Sequence, residues 1–293
     1  MNIGHARADG PAIRLGPSAT ARNPESRLGA GAIAHPPILC NVMAPVPDPI
    51  HSTRVSDDHG RSVWWGFGDA TWAVAGGFTA SVIAYQIVVA VRYPHLADGK
   101  SPTADALDSA INGLAQFATM ALLVWLTVGR RGQGLRHELG LRLRIQEIYW
   151  IAIGMGAAIT LGIAQWPIAK LWDNGHHGKQ NIGEQVRDSS SIARVLLFFV
   201  VVIIAPVVEE TIFRGVVLRS ALRRMRAPVA VLVSGVSFAA IHLGDIATFP
   251  SLPALIMLGT GSAILAVRTG ELGRSIYLHM GFNLMGFIAL VTT

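Results

Sequence analysis

The chain has 293 residues, of which 51% are hydrophobic and 14% are charged, and its formal net charge is +6. Soluble domains carry about 25% charged residues, so this composition excludes an ordinary soluble domain and predicts a membrane protein. The basic residues cluster between apolar runs and do not alternate with aromatic residues, which argues against nucleic acid as a partner.

The N-terminal segment differs in composition from the rest of the chain. Residues 1–62 are rich in Pro, Gly, Ala, Ser, Arg and His and show no sustained apolar period. This pattern is typical of a disordered tail and lacks the continuous apolar region of a signal peptide. An alternative is that translation starts at Met43. Cys40 is the single cysteine, which excludes an intrachain disulfide and a cysteine-based zinc site.

Residues 63–293 alternate between apolar stretches and polar hinges. A membrane-crossing helix needs about 20 mostly apolar residues. This criterion predicts about seven spans (six to eight), over residues 70–91, 106–128, 148–169, 192–218, 228–248, 252–268 and 275–292. The expected fold class is therefore an all-α, polytopic membrane protein.

Arginines concentrate in the segments that follow the second, fourth and sixth predicted spans. They are Arg130, Arg131, Arg136, Arg142 and Arg144; Arg219, Arg223, Arg224 and Arg226; and Arg268 and Arg274. Basic residues favour the cytoplasmic side of a membrane, and all three segments lie there if the N-terminus is cytoplasmic. We therefore expect a multi-pass protein of the bacterial plasma membrane with a cytoplasmic N-terminus.

The fourth predicted span contains three charged residues. Glu209, Glu210 and Arg214 interrupt an otherwise apolar run, although an ionisable residue in a span costs about 2.5–3.5 kcal/mol on insertion scales. Glu210 and Arg214 have the i,i+4 spacing of an ion pair, whereas Glu209 lies about 100° round the helix from Glu210. Glu210 is expected to neutralise Arg214 and to leave Glu209 as a reactive carboxylate. Pro206 removes a backbone hydrogen bond and should bend the helix nearby.

Two further spans bring polar residues to a similar depth. His242 lies 16 residues after the hinge at Arg226, and Glu209 lies 17 residues before it. An antiparallel hairpin therefore places the two residues at the same depth in the membrane. His279 and Asn283 are four residues apart and share one face of the last span. Each residue alone has a structural interpretation, as an ion-pair lock or as packing between helices. Their convergence from three helices favours a catalytic site.

These four residues support hydrolysis of an amide bond. Glu209 and His242 can activate a water molecule as a general base, while His279 and Asn283 can donate hydrogen bonds to a developing oxyanion. A rival interpretation is a zinc ion held by Glu209, His242 and His279 with a bound water. Because the H-E-x-x-H signature of soluble zinc proteases is absent, we expect no cofactor and keep zinc as the alternative.

Three short patterns resemble the motifs of the CPBP family, the CAAX proteases and bacteriocin-processing enzymes also called Abi proteins. The first is A-P-V-V-E-E-T-I-F-R-G, from Ala205 to Gly215. The second is a Phe four residues before a His, and the third is a His four residues before an Asn. The second motif is matched by Phe238 and His242, and the third by His279 and Asn283. The resemblance covers about residues 195–290.

The resemblance implies an α-helical intramembrane protease with a catalytic chamber reached from the cytoplasmic side. In such an enzyme the first-motif Glu and second-motif His activate water, and the third-motif His and Asn stabilise the oxyanion. Those residues here are Glu209, His242, His279 and Asn283, with Glu210, Arg214, Phe213 and Phe238 in supporting positions. Family members have been classed as metalloproteases, and the role of a metal in them is debated.

The expected partners are a peptide or protein substrate at the membrane and the lipid bilayer itself. Two other classes of function stay open. A catalytically inactive scaffold or immunity protein could use the same polar residues to bind a peptide. A transporter with an intramembrane ion site would require inverted repeats of spans, and no internal symmetry is clear in the sequence.

Overall fold

The computed structural model describes residues 65–94, 105–173, 186–244 and 250–292. The regular elements in these ranges are helices, as the composition predicts. The predicted tail over residues 1–62 and the alternative start at Met43 lie outside the described residues.

The helices of the described residues are numbered α1 to α8. In chain order they are α1 (Phe67–Arg92), α2 (Ala106–Gly129), α3 (Leu135–Glu138), α4 (Trp150–Asp173), α5 (Ser191–Leu222), α6 (Ala227–Ala240), α7 (Leu252–Thr269) and α8 (Gly273–Thr292). A 3₁₀ turn, Ile241–Gly244, continues from the end of α6.

Six helices in the described part of the chain are long and apolar enough to cross a membrane. This number lies within the predicted range of six to eight and confirms an all-α, polytopic fold. The predicted span over residues 228–248 is shorter than expected, because its apolar helical part covers Ala227–Leu243. The α-helix ends at Ala240, and the 3₁₀ turn that follows carries His242.

Helix α5 widens into π-helix on both sides of its paired glutamates. The π-helical stretches are Phe199–Ile204 and Thr211–Val217, and the α-helical stretch between them is Ala205–Glu210. The first π stretch ends next to Pro206, which has no backbone N–H to donate. The second follows directly after Glu210. Widened turns of this kind are frequent at functional sites.

Glycines let the helices around the site approach closely. A Cβ on Gly281 of α8 would collide with the backbone of Ile151, and one on Gly154 of α4 would collide with the backbone of Leu278. Helices α6 and α7 meet in the same way at Gly235 and Gly259. Small residues at such contacts are typical of helix packing in membranes. The contacts fix α8 against α4 within two residues of His279.

A polar cluster joins the end of α1 to the start of α2. Asp105 accepts the backbone N–H of Asp108 at 2.8 Å and thereby caps α2. Arg92 pairs with both carboxylates, and the Tyr93 hydroxyl donates to Asp108 at 2.7 Å. This hydrogen bond is the main reason that the pKa of Tyr93 is raised to about 12. Burial acts to raise the pKa of Asp105, but Arg92 and the backbone N–H groups outweigh it and lower that pKa overall.

Candidate active site

Glu210 and Arg214 form a fully buried ion pair inside α5. Arg214 Nη1 lies 3.0 Å from Glu210 Oε1, and neither side chain is exposed. Arg214 Nη2 donates to the carbonyl oxygen of Gly259 in α7 at 2.9 Å. The i,i+4 pair predicted from spacing is therefore present, and it also ties α5 to α7.

His279 lies between two carboxylates of α5. Its Nδ1 is 3.0 Å from Glu210 Oε1, and its Nε2 is 3.6 Å from Glu209 Oε2. The first distance is a hydrogen bond, and the second is longer than one. All three side chains are buried.

Glu209 and Glu210 share a neighbour although they lie about 100° apart on the helix. A separation of 100° on an ideal helix does not carry Glu209 away from Glu210, because the imidazole of His279 reaches both carboxylates.

His242 is fixed in one orientation by its own helix. Its Nδ1 is 2.9 Å from the carbonyl oxygen of Phe238, four residues earlier. Because a carbonyl oxygen can only accept, Nδ1 carries the proton of this bond, and in the neutral imidazole Nε2 then has the free lone pair. The carboxylate of Glu209 interacts electrostatically with both His242 and His279. Of the other three predicted catalytic residues, His242 and His279 thus lie within electrostatic range of Glu209.

Phe238 is the common neighbour of the polar residues. Its ring centroid lies 5.1 Å from that of His242 and 5.3 Å from that of His279, the latter edge-on. The guanidinium of Arg214 lies 4.7 Å from the same centroid, and Phe213 packs edge-on at 5.5 Å. The two phenylalanines predicted to support the site therefore form its apolar wall.

Asn283, the fourth predicted residue, contacts the backbone of α5. Its Nδ2 donates to the carbonyl oxygen of Val201 at 2.9 Å. The N–H of Ala205 goes to Val200, and Pro206 has no N–H, so neither supplies a donor to Val201. A side-chain amide has a second N–H, which leaves one donor of Asn283 for another acceptor.

Residues 191–285 match the family model described as type II CAAX prenyl endopeptidase Rce1-like. This part of the chain is therefore similar to that family, and we call residues 191–285 the Rce1-like domain. The Rce1-like domain runs from the start of α5 into α8 and contains every residue of the site. No curated protein and no solved structure gave a significant match to the chain.

The family match confirms the resemblance to CAAX proteases. It supports, in general terms, a CAAX-protease-like intramembrane endopeptidase. The six long apolar helices are consistent with a multi-pass membrane enzyme. The match does not assign a role to any individual residue.

Zinc was the alternative expectation for Glu209, His242 and His279. Among the residues that the structure describes, no group of three or more His, Cys, Asp or Glu side chains has an arrangement that could hold a metal ion. One ring nitrogen of each histidine is already directed at a protein oxygen, Phe238 O for His242 and Glu210 Oε1 for His279. The use of a metal by the Rce1-like domain stays a matter for direct measurement.

Sequence reasoning missed three residues that hold the site. Ser234 donates its hydroxyl to the carbonyl oxygen of Phe213 at 3.0 Å, Gly259 accepts from Arg214, and Val201 accepts from Asn283. Gly259 and Val201 act through their backbone carbonyls, and because every residue has a backbone carbonyl, the sequence cannot indicate which ones are used. Ser234 could have been found from the sequence, because it is a small polar residue within an apolar helix of the Rce1-like domain.

Proposed function

We propose that the Rce1-like domain hydrolyses peptide bonds within the membrane, with Glu209 and His242 as the groups that activate water. The supporting observation is the buried carboxylate of Glu209, which lies 3.6 Å from Nε2 of His279 and interacts electrostatically with His242. A carboxylate and an imidazole acceptor together can act as a general base. The hydrogen bond that holds Nδ1 of His242 leaves Nε2 available for this role.

In the proposed reaction, a proton of the water passes to the Glu209–His242 pair while the water oxygen bonds to the peptide carbonyl carbon. The carbonyl π electrons move onto oxygen and form a tetrahedral oxyanion. When the oxyanion collapses, the C–N bond breaks, and the stored proton passes to the leaving nitrogen. The products are a carboxylic acid and an amine, so the reaction needs no other co-reactant.

His279 and Asn283 are the proposed oxyanion donors. Asn283 has one N–H left after its bond to Val201, and that bond restricts the orientation of the amide. For His279, donation from Nε2 requires a proton on both ring nitrogens, because Nδ1 faces Glu210. The carboxylates of Glu209 and Glu210 supply the countercharge for such an imidazolium. Donors held in place before the reaction stabilise an oxyanion more effectively than mobile ones.

The decisive experiment compares wild-type protein with Glu209→Gln and His242→Ala in proteoliposomes. The probe is a synthetic peptide with a prenylated C-terminal C-a-a-X sequence, and its unprenylated copy is tested in parallel. We expect both substitutions to abolish cleavage, because each removes half of the proposed base. Glu138→Gln, which removes a carboxylate in α3, is the matched control and should leave cleavage unchanged.

Undiminished cleavage by Glu209→Gln would remove Glu209 as a base. If wild-type protein cleaves neither probe, proteomics of membranes that contain wild-type or Glu209→Ala protein provides a substrate-independent test. Precursors that accumulate only with Glu209→Ala support an endopeptidase. Identical membrane proteomes would favour the inactive peptide-binding scaffold.

We propose that the reaction proceeds without a metal. Metal analysis of purified protein should then find less than one zinc per chain, and a chelator should leave turnover unchanged. One zinc per chain, whose removal stops turnover and whose return restores it, would replace this mechanism with a metal-assisted one.

A further inference from the structure

A cavity of about 310 Å³ lies outside the proposed active site and is lined largely by arginines. Its lining residues are Arg136, Leu141, Arg142, Leu143 and Arg144. These residues follow the span that ends at Gly129 and precede the one that begins at Ile145. The cavity therefore lies at the border of the membrane, at the depth of lipid headgroups.

The cavity carries more positive than negative charge. Arg142 Nη1 and Arg144 Nη2 lie 3.2 and 2.7 Å from the same oxygen, Glu271 Oε1. The single carboxylate of Glu271 thus pairs with two guanidinium groups, each of which has five N–H donors. The side chain of Arg136 has no hydrogen-bond or ion-pair partner among the described residues. Several donors and a net positive charge are left for an anionic ligand.

Large apolar side chains lie exposed beside this cavity. The exposed fractions are 51% for Leu143, 68% for Ile145 and 53% for Tyr149. At the membrane border such side chains face the boundary between headgroups and acyl chains. A small soluble anion has no apolar part to bury against these side chains, whereas a phospholipid has both an anionic headgroup and apolar acyl chains.

We propose that this cavity binds the phosphate headgroup of an anionic phospholipid. The guanidinium groups of Arg136, Arg142 and Arg144 donate to the phosphate oxygens, since a planar guanidinium matches phosphate geometry. The acyl chains pack against Leu143 and Ile145. The positive-inside rule places these arginines at the cytoplasmic leaflet, where anionic lipids are concentrated.

Native mass spectrometry of purified full-length protein tests this site with defined lipids. Phosphatidylglycerol should bind more tightly than phosphatidylcholine, and Arg142→Gln/Arg144→Gln should weaken phosphatidylglycerol binding by about fivefold for each arginine removed. Arg130→Gln/Arg131→Gln is the charge-matched control, because both arginines are exposed in the same connection but do not line the cavity. This pair should weaken binding much less.

Arg136→Gln removes a cavity arginine without breaking any ion pair among the described residues, and it should weaken binding about fivefold. Equal losses in the cavity and control variants would overturn the proposal, because they would show diffuse attraction to anionic lipid. Displacement of the lipid by millimolar inorganic phosphate would also overturn it, because the ligand would then be a free anion. Since the readout is lipid binding, loss of peptidase activity does not affect the result.

Discussion

The side chain of Asn283 in α8 supplies the hydrogen bond that the Val201 carbonyl in α5 does not receive from its own helix. The Nδ2–O distance is 2.9 Å. Ala205 gives its N–H to Val200 across a π turn, and Pro206, the next residue, has no N–H. Asn283 therefore links α8 to the widened part of α5 that precedes the paired glutamates.

Replacement of Asn283 by Ala should destabilise the protein and slow cleavage. A buried carbonyl without a donor costs about 1–3 kcal/mol, and loss of an oxyanion donor lowers kcat by about 10²–10³. Thermal unfolding in detergent and cleavage in proteoliposomes measure the two effects. Asn112→Ala, which removes an amide that bonds Ser81 between α1 and α2, is the control and should preserve kcat.

Pro206→Ala in the Asn283→Ala background should restore stability. The new backbone N–H at position 206 lies five residues after Val201 and can donate to its carbonyl oxygen in a π turn. If Asn283 is also an oxyanion donor, stability returns and kcat does not. Recovery of both would limit Asn283 to positioning, and recovery of neither would show that the Val201 bond does not carry the effect.

Replacement of Arg214 by Gln should be among the most destabilising changes in the site. It removes the guanidinium partner of the buried Glu210 carboxylate, and breaking a buried ion pair costs about 3–5 kcal/mol. It also removes the bond to Gly259. Arg142→Gln breaks a partly exposed pair with Glu271, so in detergent without anionic lipid it should cost about 1 kcal/mol or less. Similar melting temperatures for the two variants would contradict a stabilising role for the buried pair.

Replacement of Phe238 by Leu should lower kcat by about tenfold, because contacts of an aromatic ring are worth about 0.5–1.5 kcal/mol each. The ring touches both His242 and His279, so its loss loosens both imidazoles at once. Phe287→Leu removes a similar edge-on pair with Phe198 that contacts neither histidine. Equal activity of the two variants would show that Phe238 does not orient the histidines.

The pKa of Tyr93 predicts a loss of stability in alkali. Because the folded-state pKa of about 12 lies above the ordinary value of about 10, the unfolded chain loses its proton first. The stabilisation is complete below pH 10 and declines as the pH rises towards 12. Melting temperatures of wild type and Tyr93→Phe in detergent should therefore converge between pH 10 and 12. A constant difference over this range would contradict the assignment.

Local spacing in the sequence was enough to find the elements and the polar residues of the site. Each long apolar run became a helix because a membrane leaves backbone groups no partner outside their own segment. The pair of Glu210 and Arg214 followed from the i,i+4 geometry of any helix. The positions of His242, His279 and Asn283 in later spans identified them as candidates. The orientation of the chain in the membrane stays a prediction.

Only the tertiary structure decided which atoms of these residues meet. The sequence paired Glu209 with His242, but in the structure Nε2 of His279 lies 3.6 Å from Glu209, and Nδ1 of the same ring bonds Glu210. Prediction from a uniform turn of 3.6 residues could not include the π turns of α5, which change the direction of every later side chain. Nor could it foresee that Asn283 would bond the carbonyl of Val201, since a backbone acceptor is the same in every residue.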